Sequence, residues 1–424
     1  MKGILSKPAG LRFGFVSTRF HGNDGVSLET EKWVTVLGRM GHESFYFCGK
    51  SDRPATHTRV VGEAFFGHPD VATLQGRCFG TMKRDEGITG EVHRLRQVLK
   101  KHLYGFIGDF KIDVLVVENA LAIPMNIPLG LAITEVLAET GMPAIGHHHD
   151  FFWERQRFLV SGVDDYLDMA FPPRLHAMNH VVINTEARKQ LGHRRGLSSI
   201  VIPNVFDFAS NPRGVDDFNR SLREDLGMEP GDLLILQPTR IIARKGIEHA
   251  IELASRLSDR RVKLLISHQE RDEGAAYYRR IVEYAALLGV DLVTGSPFLG
   301  TTRGFTSEGR KVYDLWDCYV AADFVTYPSS YEGFGNAFLE AVFYKKPLLV
   351  NRYSIFECDI EPLGFQTVSI DSYLTDDTVA QVRRLLDDEA LRKGVVDRNF
   401  ELGRRHFSYE VLEEKLKMVL REGN

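Results

Sequence analysis

Apolar and polar positions along the chain follow two alternating rhythms. RFGFVST (12–18) is a short run rich in aromatic and β-branched residues, as a strand requires. After the polar loop FHGNDGV, the stretch SLETEKWVTVLGRM (27–40) spaces its apolar residues three and four apart, which predicts a helix. Gly41-His42 then punctuates, and ESFYFC (43–48) opens the next strand. Further strands are predicted at VLVVE (114–118), PAIGHH (143–148) and VVIN (181–184), with helices between them. Alternation of this kind implies a parallel sheet covered by helices on both faces.

A second series starts after VIPNVFDF (201–208). LLILQPT (233–239) reads as a strand, GIEHAIELASRL (246–257) as a helix and VKLLIS (262–267) as a strand. DFVTYP (323–328), GNAFLEAVFY (335–344) and PLLV (347–350) add a strand, helix, strand unit. The fold class is therefore α/β, two Rossmann-like doubly wound domains in tandem with a boundary near 204–215. Ligands of such domains sit at the carboxyl ends of the strands, so a cleft between two facing sheets is the expected active site.

Composition narrows this little further. A chain of 424 residues suits roughly two or three domains. Hydrophobic content of 43% and charged content of 26% mark a globular protein. A formal net charge of −4 supplies no global basic field, so no nucleic-acid partner is expected. Cys48, Cys78, Cys318 and Cys358 show no CxxC spacing, which argues against a zinc site or a disulfide framework and fits a reducing, cytoplasmic location. The N-terminus has no uninterrupted apolar core of a signal peptide, and VLVVENALAIPMNIPLGLAI is broken by Glu118, Asn119, Asn126 and two prolines, so no membrane span is expected. VHRLRQVLKKHLYGFI (92–107) sets Val92, Leu95, Val98, Leu99 and Leu103 opposite Arg94, Arg96, Lys100 and Lys101. Such a face either packs on its own sheet with a solvated side or touches an anionic membrane surface peripherally.

Three segments carry candidate chemistry. The strand LLILQPT runs into Arg240-Ile-Ile-Ala-Arg-Lys245-Gly246 and a helix start. Fixed cations there suit a diphosphate, although charged loops at strand ends are common without one. SSYEGFGNAFLEA (329–341) places Glu332 before two glycines and Glu340 eight residues on. The amides of Gly335, Asn336 and Ala337 would be unpaired donors of a helix's first turn, able to hold phosphate or sugar oxygens. Glu332 would face whatever the phosphate carries, and Glu340 a ribose, since carboxylates accept from vicinal hydroxyls; a helix cap and a surface charge are the plainer alternative. HHHDFFWER (147–155) invites a metal, but alternation along a strand lets only His147 and His149 share a face, and no further ligand is clustered in sequence, so no metal is assigned.

Arg240-x4-Lys245-Gly246, then Pro328-Ser-Ser-x-Glu332-Gly-Phe-Gly335-x4-Glu340-Ala341, with VIPNVFD at the junction, resembles the retaining GT-B glycosyltransferases of family GT4 over nearly the whole chain. The resemblance implies two Rossmann-like domains facing across a cleft. Residues 1–205 would bind the acceptor and 206–403 the nucleotide sugar, with 404–424, a helix, packing back toward the first domain. Arg240 and Lys245 would bind the diphosphate and stabilise the leaving group. Glu332 would hold hydroxyls of the transferred sugar, assisted by Gly335, Asn336 and Ala337, and Glu340 the ribose. His149, the best match to the family's His-Asp pair with His148 as the other register, would face the transferred sugar. The N-terminal loop departs from the family's paired glycines: it reads Gly22-Asn23-Asp24-Gly25-Val26, and Gly25 is its match on the donor side.

The implied reaction is metal-independent transfer of a hexosyl group from a nucleotide diphosphate sugar, UDP-, GDP- or ADP-linked, to an acceptor hydroxyl with retention. No cofactor is implied. The acceptor would meet Asp24, Asp150, Trp153 and Arg155, with Phe151 and Phe152 also placed to stack on a sugar or to fill a core. The base pocket would involve Ser296–Thr302. A nucleotide-sugar epimerase of the same architecture, or a sugar-binding relative without transfer, shares the fold. The joined set Arg240, Lys245, Glu332 and Glu340 favours transfer over both.

Overall fold

The computed structural model describes residues 10–22, 25–257, 260–267, 275–294 and 297–422. The chain divides into two compact units, Met1–Val205 with Tyr409–Asn424, and Phe206–Ser408.

The first unit holds a seven-stranded sheet: β1 (Arg12–Val16), β2 (Glu43–Cys48), β3 (Thr58–Val60), β4 (Val114–Glu118), β5 (Ala144–His148), β6 (Met178–Val182) and β7 (Ile200–Val201). The order is β3-β2-β1-β4-β5-β6-β7 and every pairing is parallel. Strand order reverses between β1 and β4, so the crevice beyond their carboxyl ends is the natural ligand position. The predicted strand 181–184 begins three residues earlier and ends sooner. Asn179 and His180 hid its start, and Asn184 instead caps the next helix by accepting from the Ala187 amide at 2.6 Å.

The helix Ile127–Thr140 shows local sequence signals at both ends: Asn126 accepts from the Leu129 amide at 3.0 Å, Pro128 lies in the first turn, and Gly141 closes it in the left-handed region. The helix Ile88–Phe110 packs on it, burying Leu99, Leu103 and Phe106 against Leu129, Ile133 and Val136. Each such side chain contributes roughly 1.5–3 kcal/mol of burial. At the edge of this contact Arg96 pairs with Glu135 and Lys100 with Glu135 and Glu139 of the same packed helix, while Arg94 pairs with Asp70. Three of the four cations on this helix are thus paired within the unit, which supports the packed-helix alternative over the membrane one. Among the described residues no helix is long and apolar enough to cross a membrane. The last helix, Tyr409–Glu422, buries Leu412, Leu416, Val419 and Leu420 with Trp33, Leu37, Ile202 and Val205.

The second unit has a six-stranded parallel sheet: β8 (Leu233–Gln237), β9 (Val262–Ile266), β10 (Asp291–Val293), β13 (Phe324–Tyr327), β14 (Leu348–Asn351) and β15 (Val368–Ile370), in the order β10-β9-β8-β13-β14-β15. A separate antiparallel pair joins β11 (Gly304–Phe305) to β12 (Lys311–Val312). Order reverses between β8 and β13, so the loops after these two strands flank the switch point. The Phe206 amide donates to the Phe407 carbonyl at 2.8 Å, tying the start of the unit to its end.

Candidate active site

In the second unit the loops after β8 and β13 are bound to each other. The Ser330 amide donates to the Arg244 carbonyl at 2.8 Å, and the Arg244 guanidinium donates to the Tyr331 carbonyl at 2.8 Å. Gly246 sits at φ +58°, and a Cβ there would lie 2.4 Å from the Pro328 carbonyl oxygen, so this close approach needs glycine. Glu332 and Lys245, each 8% exposed, form a hydrogen-bonded ion pair, and Arg244 lies 3.0 Å from the same carboxylate. Burial alone would raise the Glu332 pKa; the charges of Lys245 and Arg244 outweigh it and hold the carboxyl below its usual value. Burial lowers the Lys245 pKa, Glu332 opposes this, and the positive charges of Arg244 and Arg240 add to the lowering. One carboxylate serves two cations, which is why the acid gains more than the ammonium. Arg240 is exposed and close enough to act on Lys245. Three cations against one carboxylate leave the loops net positive.

The helix Asn336–Phe343 opens directly from this turn. Gly335 precedes it at φ +120°, where an added Cβ would sit 2.4 Å from the Tyr353 hydroxyl. That hydroxyl donates to the Phe334 carbonyl at 2.7 Å and so fixes the turn. Asn336 and Ala337 are the first helical residues, and their amides belong to the turn that has no intrahelical acceptor. Glu340 is half-buried and accepts from the Tyr319 hydroxyl at 2.9 Å.

In the first unit the residues of interest gather where β4 and β5 end. Glu118 and His147 are register partners, and their side chains meet at 2.9 Å, Nδ1 to Oε2. His149 Nε2 lies 3.3 Å from the same oxygen. Burial pushes the Glu118 carboxyl up, but the charge and hydrogen bonds of the two imidazoles hold it at about 2. Burial lowers the His149 pKa and Glu118 more than restores it, leaving it raised. His148 points the other way: it is fully buried, with Nε2 2.9 Å from His180 Nδ1. His147 and His149 thus share the side that carries Glu118, and His148 lies on the opposite side with His180.

Asn119 stands at φ +59°, a strained position for a residue other than glycine. Its side chain accepts from the His149 amide at 3.0 Å and donates to Asp150 at 2.9 Å. Asp150 in turn pairs with Arg155. Trp153 stacks on buried Phe151 with centroids 4.5 Å apart, and the Arg194 guanidinium lies 5.5 Å from its ring; Phe152 and Trp153 both pack against a small core cluster. Gly25 opens the helix Gly25–Arg39, and nothing lies within 4 Å of where its Cβ would be. Asp24 and Ser296 lie outside the described residues.

Two members were missed by sequence reasoning. Arg244 lay inside the quoted loop but outside the motif. Glu118 closed an apolar run, and only the register of β4 against β5 brings it to the histidines. No third ligand is clustered in sequence, but the fold brings one in: Glu118, His147 and His149 present ligand atoms that all lie within 4.8 Å of one another, a set that could hold a metal ion.

Comparison with known proteins identifies the family. Residues 305–400 match the family model described as Glycosyl transferases group 1. The mannosylglucosylglycerate synthase of Thermotoga maritima is 34% identical over 431 residues, covering 93% of this chain and 96% of that protein. Among solved structures, a glycosyltransferase from Rickettsia africae aligns with a TM-score of 0.70 at 12% identity, covering 98% of both chains. Anabaena Alr3699/HepE, in complex with UDP and glucose, aligns at 0.65 and 13% identity, covering 97% of this chain and 99% of that one. The chain therefore belongs to the glycosyl transferases group 1, the GT4 family, and is a glycosyltransferase built on the GT-B fold.

Proposed function

We propose that the chain is a mannosylglucosylglycerate synthase, moving a mannosyl group from a nucleoside diphosphate sugar to a hydroxyl of glucosylglycerate with retention at the anomeric carbon. Sugar and acceptor follow from the name of the relative that matches at 34% identity over almost the full length of both chains. The observation that carries the chemistry is the pairing of Lys245 and Arg244 with one buried carboxylate, Glu332, beside Arg240 and a helix start. In the transfer, the bond from the anomeric carbon to the diphosphate oxygen breaks and one to the acceptor oxygen forms. The acceptor's hydroxyl proton goes to the departing phosphate. Arg240, Arg244 and Lys245 offset the charge that grows on the diphosphate, the task a metal performs elsewhere.

Glu332 accepts from hydroxyls of the mannosyl group, the amides of Gly335, Asn336 and Ala337 assist, and Glu340 accepts from the ribose. His149 donates to a sugar hydroxyl. Arg155, held by Asp150, complements the glycerate carboxylate. No carboxylate is assigned as a nucleophile. A nucleoside diphosphate donor agrees with the UDP bound by Anabaena Alr3699/HepE, and an epimerase of this architecture is not favoured.

The test is incubation with UDP-, GDP- and ADP-mannose and glucosylglycerate, with product and anomeric configuration read by NMR. Nucleoside diphosphate release matched by mannosylglucosylglycerate of unchanged anomeric configuration is expected. Absence of that product with all three donors overturns the assignment, an inverted anomer overturns retention, and an altered donor sugar without acceptor points to epimerisation.

A further inference from the structure

We infer that Glu118, His147 and His149 form a binding site for one divalent transition-metal cation, of the zinc or cobalt class, at the carboxyl ends of β4 and β5. The inference goes beyond the transfer reaction, which uses no metal at the diphosphate, and it does not rest on the substrate assignment. One carboxylate and two imidazoles suit borderline cations better than magnesium or calcium, which prefer all-oxygen shells.

Three observations converge. Both rings aim at a single oxygen, Glu118 Oε2, at 2.9 and 3.3 Å. With bonds of about 2.0–2.2 Å, tetrahedral ligand atoms lie roughly 3–4 Å apart, so the present spacing needs little opening to admit a cation. Glu118 Oε1 is buried with no hydrogen-bond partner. A proton shared between Oε2 and a ring leaves Oε1 in that costly state, whereas a cation bound through both oxygens uses it.

The frame is also rigid before anything binds. The His147 ring stacks on Trp33 at 4.3 Å and 25°. Asn119 holds the His149 amide, and the Ser17 hydroxyl donates to the Glu118 carbonyl at 3.0 Å. Side-chain exposure is 0% for Glu118, 1% for His147 and 10% for His149, so entry is by way of His149. Coordination through Nε2 leaves Nδ1–H of His149 as the donor to a sugar hydroxyl, so cation and sugar use different nitrogens.

The experiment uses the full chain without an affinity tag, stripped with a chelator and dialysed. Cobalt(II) is titrated while its visible absorption is followed, and zinc binding is measured by calorimetry and by the melting temperature. One equivalent bound with a raised melting temperature is expected. His149→Ala should weaken binding by about tenfold or more, and Glu118→Gln should do the same. His149→Ala affects the most exposed ligand, and its circular dichroism checks that the fold is intact. His193→Ala, on an exposed helix face, should change nothing. The site is refuted if the wild type binds no saturable equivalent, or if binding survives both ligand variants unchanged. Transfer activity plays no part in the readout, so failure of the site and failure of the functional reading are distinguishable.

Discussion

Replacing Lys245 by methionine keeps most of the volume and removes the charge that faces Glu332. At an effective dielectric of about 20, two charges at hydrogen-bond distance attract by roughly 5 kcal/mol, but taking both out of water costs several kcal/mol. Breaking a buried pair by deleting one partner costs about 3–5 kcal/mol when the survivor is left alone. Glu332 is not left alone, because Arg244 remains 3.0 Å away. Roughly 2 kcal/mol is therefore expected for Lys245→Met. Glu332→Gln leaves an ammonium whose pKa burial already lowers, and loss of its proton at pH 7 caps the penalty at roughly 5 kcal/mol.

The double variant removes both charges and should be more stable than the sum of the singles by about 1–3 kcal/mol. Urea unfolding of 5-fluorotryptophan-labelled chain resolves this by NMR, because Trp316 is the one tryptophan of the second unit, Trp33 and Trp153 belonging to the first. Single changes that add within about 0.5 kcal/mol would show that the contact contributes no coupling and refute the reasoning. The same Lys245→Met chain should lose roughly 10²–10³-fold in kcat, by analogy with the loss of one oxyanion donor. Full turnover would remove Lys245 from the diphosphate site.

Gly335→Ala should cost roughly 1–3 kcal/mol and raise the donor KM, since φ is +120° and a Cβ would meet the Tyr353 hydroxyl at 2.4 Å; unchanged melting and KM would contradict the crowding. Glu340→Ala should raise the donor KM more than it lowers kcat, because ribose contacts are alike in ground and transition states; steady-state kinetics with equal losses in kcat and kcat/KM would argue otherwise. His180, buried beside His148, has its pKa pushed down by burial from 6.5 to about 4. The unfolded chain takes up this proton first, so the contribution of His180 to stability is full above pH 6.5 and falls by roughly 3 kcal/mol as the pH drops to 4, with His148, also lowered by burial, adding to the loss. Urea midpoints across that window, with a shallower fall in His180→Leu than in the wild type, check the direction.

Much of the architecture is legible without coordinates because it is written in local periods. The strands 43–48 and 114–118 lie where alternation and apolar runs place them, and the helix Asn336–Phe343 starts at the glycine turn that its first-turn donors require. The short strands β3, β7, β10 and β15 escaped, since two or three residues carry too little pattern to stand out from loops.

The two doubly wound series and the turn that presents Glu332 ahead of Glu340 are local properties of the chain, because backbone preferences and burial patterns act over a few residues. The partners of these side chains come from long-range packing. Arg244 and Lys245 share a carboxylate 87 residues from Lys245, and Glu118 meets His147 across 29 residues through the register of neighbouring strands. Register and strand order are set by the packing of whole sheets. No spacing along the chain encodes that a carboxylate ending one apolar strand will lie beneath two imidazoles ending the next.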